Sequence, residues 1–203
     1  MIKEVAIIIG NGTSRWPLNL QLMAEKLGDN RPVTYGCNAV YRDFAPNFLL
    51  PDYIVAVDDG MINEIAGSDF PYKRVLVPPF EGRWEPAELH PNGHRPRTNA
   101  GMCAMQYAID DGARALLCVG FDSFLQDAKQ SVSNIYDGSD NYGMETRANI
   151  LDNPGRVKFM QYMAKNNPEI DFIFAYPNGL NAVPMGTNNI FQTTFEGITE
   201  FMV

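Results

Sequence analysis

Histidine and cysteine are scarce in these 203 residues, at two and three copies respectively. Cys37, Cys103 and Cys118 lie in apolar stretches without C-x-x-C spacing. An odd, scattered set of this kind argues against a disulfide framework or a thiolate zinc site and predicts reduced core thiols. His90 and His94 have the spacing of helical metal ligands, but Pro91 and Gly93 between them oppose the helix that spacing needs. Positive charge is also short: 16 Lys and Arg against 24 Asp and Glu give a net charge of −8. Such a surface repels a phosphate backbone, so no nucleic-acid partner is expected. Long apolar runs are missing too. Val5 to Ile9 is too brief for a signal peptide or a membrane span, which predicts a cytoplasmic protein. No internal repeat or low-complexity tract divides the chain, and one domain over residues 1–203 is the economical reading. Its 45% hydrophobic residues suffice for a sizeable core.

What is present alternates between two periods. Val5-Ala6-Ile7-Ile8-Ile9 is a continuous β-branched run, as in a strand buried on both faces of a parallel sheet. A glycine turn follows, and then Pro17 to Leu27 reads as a helix with Gly28 just past its end. Further short apolar runs at Val33 to Cys37, Tyr53 to Val57, Arg74 to Val77 and Ala115 to Val119 predict strands two to five. Thr98-Asn99 supplies a cap for a helix carrying Met102, Met105, Ala108 and Ile109 on one face and closing at Gly112. A helix from about Pro154 to Asn166 leads into a strand from Phe172 to Tyr176. This alternation predicts an α/β fold, doubly wound around a mostly parallel sheet. The polar stretch 121–153, after the fifth strand, is too long for an ordinary connection and is expected to be a lid.

In open α/β sheets ligands bind beyond the carboxyl ends of the strands, and those ends are where polar residues gather here. Gly10-Asn11-Gly12-Thr13-Ser14 follows the first strand, Asn38 the second, Asp58-Asp59-Gly60 the third and Gly120-Phe121-Asp122 the fifth. Asn99-Ala100-Gly101 opens a helix beside them. The glycine turn with its following helix offers an anion site for a phosphate or carboxylate; a tight strand-to-helix turn is the plainer alternative. It is not a dinucleotide fingerprint, since Arg15 stands where the third glycine belongs, and no P-loop sequence exists anywhere in the chain. Asn38 suits a nucleobase edge or ribose hydroxyl, or else a helix cap. Asp58 and Asp59 are candidate Mg²⁺ ligands, or a capping pair. Asp122 is a site carboxylate or a turn former. Arg83, His90, His94, Arg95 and Arg97 cluster in the Pro- and Gly-rich stretch 78–97, where they either grip an oxyanion or line a solvated loop.

Taken in order, Gly10 to Ser14, Cys37-Asn38-Ala39-Val40-Tyr41, and Asn99-Ala100-Gly101 through Gly120-Phe121-Asp122 resemble the motifs of bacterial CMP-sialic-acid-dependent sialyltransferases. Pro51 to Asp58 is similar to archaeal-type 6-hydroxymethylpterin diphosphokinases. The likeness spans about residues 4 to 125, with an echo at Tyr176-Pro177-Asn178. It implies a Rossmann-like domain whose nucleotide lies against Gly10, Asn11, Gly12, Ser14, Asn38, Asn99, Ala100 and Gly101. The sialyltransferases carry a Tyr where this chain has Phe124, and a catalytic His further on where this chain has none after His94. Three functions therefore stand open. One is a glycosyltransferase-like enzyme using a nucleotide-sugar donor, with Asp122 or Asp58 as base and Tyr136 or Tyr142 supplying a phenol. A second is a Mg²⁺-dependent diphosphokinase acting on a pterin-like alcohol through Asp58, Asp59 and Asp122. The third is a non-catalytic nucleotide-binding module.

Overall fold

The computed structural model describes residues 4–44, 50–78, 99–126, 134–143 and 153–198. The elements run β1 (Val5–Ile9), α1 (Leu20–Leu27), β2 (Val33–Cys37), β3 (Tyr53–Val55), α2 (Asp59–Ala66) and β4 (Val75–Leu76). They continue with α3 (Ala100–Asp110), β5 (Ala115–Val119), α4 (Asn153–Asn166), β6 (Asp171–Tyr176) and β7 (Ile190–Thr194). Among the described residues the strands form one seven-stranded sheet in the order β4-β3-β2-β1-β5-β6-β7. Every neighbouring pair is parallel. The fold is thus α/β, a Rossmann-like arrangement as the alternating pattern predicts. No helix among the described residues is long and apolar enough to cross a membrane.

Strand alternation sends side chains to opposite faces, and each face is covered. Ala6, Ile8, Cys118, Phe172 and Phe174 pack with Met102 and Met105 of α3 and Phe159, Met160 and Met163 of α4. Ile7, Ile9, Leu117, Val119 and Ile173 pack with Leu20 of α1, Val40, and Met61 and Ile65 of α2. A sheet enclosed in this way needs strands apolar on both sides, which is why β1 and β5 read as continuous runs. All three cysteines are free and buried, as expected.

β3 and β4 are shorter than the apolar runs that predict them, and α1 and β7 depart further from the sequence expectation. α1 starts at Leu20 rather than near Pro17, because Thr13–Arg15 form a 3-10 turn. Asn19 then caps the helix, its side chain accepting from Leu22 N at 2.8 Å and its carbonyl from Met23 N at 3.0 Å. β7 was not legible at all: its residues are only partly buried or exposed, so no apolar run marks it.

The strand order reverses at β1. From β1 the chain builds outward through β2, β3 and β4, then returns across α3 to place β5 on the other side of β1. Beyond those two strands the chain parts to opposite faces of the sheet, α1 covering one and α4 the other, which makes the carboxyl ends of β1 and β5 the place where a ligand crevice forms in such sheets.

Candidate functional site

The turn after β1 packs directly on the turn after β5. Gly10 N donates to Val119 O at 2.8 Å and Gly12 N to Gly120 O at 2.9 Å. A Cβ on Gly10 would stand 2.5 Å from the Gly120 carbonyl oxygen, and one on Gly12 would collide with the Asp122 carboxylate. Both glycines therefore serve contact between the two loops. Gly120 itself has φ +74, the left-handed region that favours glycine.

The anion expected at the Gly10–Ser14 turn is the chain's own Asp122. Its carboxylate accepts from Ser14 N at 3.0 Å, from the Thr13 hydroxyl at 3.2 Å and from the Ser14 hydroxyl. Asp122 is only 3% exposed. Burial raises its pKa above the ordinary carboxylate value, while the hydrogen bonds from Ser14 and Thr13 oppose the rise. Beside it opens a pocket of about 280 Å³ lined by Thr13, Ser14, Trp16, Pro17, Asp122, Leu125, Pro177 and Leu180. Trp16, Pro17, Leu125, Pro177 and Leu180 give it an apolar side, and Thr13, Ser14 and Asp122 a polar one. Among the described residues no Lys or Arg lines it.

On the other side of β1 the residues expected to contact a nucleotide are held by one another. Asn38 sits at φ +48, donates from Nδ2 to Asp58 at 2.9 Å and accepts from Val57 N at 3.3 Å, tying the ends of β2 and β3 together. Asn11 donates from Nδ2 to the Tyr142 hydroxyl at 2.8 Å. Tyr142 is half-buried, and its burial pushes its pKa up to about 12, with Asn38 and the Ala39 N–H opposing. Tyr136 is buried, and its hydroxyl accepts from Arg15 at 2.9 Å. Arg15 also donates to Gly10 O and pairs with Asp43, both at 2.7 Å.

Asn99 caps α3, its side chain accepting from Met102 N at 3.0 Å. Ala100 is buried, and Gly101 leaves room for the Phe121 ring, which a Cβ would approach to 2.5 Å. Asp58 and Asp59 are exposed at the rim. Among the described residues no three His, Cys, Asp or Glu side chains gather into a metal-binding group, so Asp58, Asp59 and Asp122 do not share one site. The pair Asp58 and Asp59 alone could meet a Mg²⁺ carried in by phosphates. Within the stretch expected as a lid, Phe121, Asp122, Phe124 and Leu125 are buried, and 134–143 is hydrogen-bonded across the carboxyl end of β1. Residues 127–133 and 144–152 of that stretch lie outside the described residues, as do Arg83, His90, His94, Arg95, Arg97 and Thr98.

The structure therefore brings Ser14 and Asp122 into one pocket, and Asn11, Asn38, Asp58 and Tyr142 into a neighbouring cluster. Sequence reasoning missed Arg15, Trp16, Leu125 and Leu180. In the sequence Arg15 stands out only as a break in a glycine pattern, and the others carry no local signal, since a pocket wall is defined by what faces it. No protein-family model, curated protein or solved structure matches this chain.

Proposed function

We propose that this protein binds a nucleotide or nucleotide-linked sugar at the crevice between β1 and β5 and acts as a glycosyltransferase-like transferase. The observation that carries this reading is the reversal of strand order at β1, with a pocket opening at that point. A volume of about 280 Å³ suits one planar ring rather than a whole nucleotide. Trp16, Pro17 and Pro177 offer flat apolar surfaces for a base, and Trp16 is 70% exposed and free to stack. Asp122 then accepts from an exocyclic amine of that base. The rest of the nucleotide extends toward Asn11 and Asn38. Asp58, exposed beside Asn38, is better placed than the enclosed Asp122 to serve as base toward an acceptor.

The test is thermal unfolding with CMP, AMP, GMP and UMP at millimolar concentration. A ligand at a hundred times its Kd stabilises the native state by about 2.7 kcal/mol, or roughly 5–10 °C for a chain of this length. Amino-bearing bases should outperform uracil. No shift with any of the four would overturn the proposal. Repeating the titration with EDTA separates the diphosphokinase reading, in which phosphate binding needs Mg²⁺ at Asp58 and Asp59.

A further inference from the structure

Tyr142 occupies the position between the strand ends where the nucleotide reading calls for a ligand. Its hydroxyl accepts from Asn11 Nδ2 at 2.8 Å and lies against the Asn38 side chain and the Ala39 N–H. These are donors at the carboxyl ends of β1 and β2, and the Tyr142 ring that reaches them packs against the core face holding Ala39, Val40 and Tyr136. The match is imperfect in an informative way: Asn11 Oδ1 is buried without a hydrogen-bond partner among the described residues. A primary amide presents an acceptor and a donor side by side, and a single hydroxyl satisfies only one of them. Turning the amide over leaves Nδ2 unpartnered instead. Two adjacent hydroxyls, one donating and one accepting, satisfy both.

The segment carrying Tyr142 is held down by a separate latch. Arg42 donates to the Ser139 hydroxyl at 2.7 Å and to Asp140 O at 2.9 Å, and lies 5.7 and 5.9 Å from the ring centroids of Tyr136 and Tyr142. Glu64 fixes Arg42 in turn and accepts from Asn141 at 2.7 Å. Ile135 N donates to Asn11 O at 2.8 Å, so the segment is anchored on the β1 turn as well. The bonds at Ser139, Asp140 and Asn141 are exposed side-chain contacts, which open at lower cost than the core, whereas Tyr136 is buried with its hydroxyl on Arg15 and holds the start of the segment in place.

We infer that the Tyr142 hydroxyl is an internal surrogate for a ligand's vicinal diol, so that a sugar-bearing ligand binds Asn11 and Asn38 only by displacing Tyr142 with the 139–143 end of its segment. This inference rests on the nucleotide reading and adds the chemical group recognised and the device that guards it. Apparent affinity is then the intrinsic affinity multiplied by the fraction of molecules already open. Weakening the closed state raises that fraction and tightens binding.

The experiment is calorimetric titration of CMP, AMP, GMP and UMP into wild type, Tyr142→Phe and Arg42→Gln, with urea unfolding of each protein free of ligand. Loss of the hydroxyl or of the latch should tighten binding about three- to tenfold while lowering ligand-free stability. The 2′,3′-dideoxy forms should gain nothing from either change. Affinity that is unchanged or weaker in both variants overturns the inference, because Tyr142 is then either packing or a ligand contact. If no nucleotide binds any of the three proteins, the nucleotide reading falls and takes this inference with it. Binding to wild type with equal affinity in the variants sinks the surrogate alone.

Discussion

Gly10→Ala distinguishes a glycine kept for loop packing from one kept for a ligand. The new Cβ would lie 2.5 Å from Gly120 O, 3.1 Å from Gly120 C and 3.3 Å from Val119 O. All three are backbone atoms, so no side chain can swing away. The obstacle is also tied in place, because Gly10 N bonds Val119 O and Gly12 N bonds Gly120 O. Relief requires the β1 and β5 ends to separate by several tenths of an ångström, stretching both hydrogen bonds. Overpacking of this kind costs about 1–3 kcal/mol, and the rigidity here favours the upper half of that range. With an m-value near 3 kcal/mol/M in urea, a loss of about 2–3 kcal/mol lowers the unfolding midpoint by roughly 0.7–1 M. Gly67→Ala is the matched control. Its Cβ would meet Asn63 O and Glu64 O at an ordinary 3.6 Å, and no positive φ strains it. That variant should stay within about 0.5 kcal/mol of wild type or gain slightly through a stiffer unfolded chain. Urea unfolding followed by circular dichroism reads both. A Gly10→Ala midpoint within 0.2 M of wild type would refute the packing account and return the glycine to a ligand-binding role.

Asp122→Asn should change the dependence of stability on pH. A carboxyl whose folded pKa is raised above its unfolded value, near 3.9, contributes stability below that value and loses it as pH rises through the folded pKa. The variant should therefore gain on wild type as pH rises from about 4, and a pH-independent difference between the two would rule out the buried, elevated carboxyl. Asn38→Ala loses the bonds to Asp58 and Val57 N and meets strain at φ +48, whereas Asn38→Gly loses the bonds alone. The glycine variant should be the more stable of the two by about 1 kcal/mol in chemical unfolding, and the opposite order would show that the left-handed conformation is not held.

The sequence by itself determined the α/β class, because strands enclosed on both faces must be apolar on both, and β1 and β5 say so residue by residue. It also located where β1, β2 and β5 end, since Asn38 and Gly120 take up left-handed backbone that asparagine and glycine tolerate, and Gly10 permits the close approach of a neighbouring turn. The α3 cap at Asn99 was readable for the same local reason. Strand order was decided only in three dimensions. Nothing between β4 and β5 states that the chain crosses back over β1, yet that crossing sets Asp122 against Ser14 across 108 positions. The same applies to the glycine turn. Read locally, its N–H groups invite an external anion, but tertiary packing supplies a buried carboxylate from a distant loop. Tyr142 reaches Asn11 over 131 positions by a route the sequence does not encode locally. Local chemistry fixes what each turn can bind, whereas the contents of the site depend on contacts between turns, and those exist only once the sheet has closed.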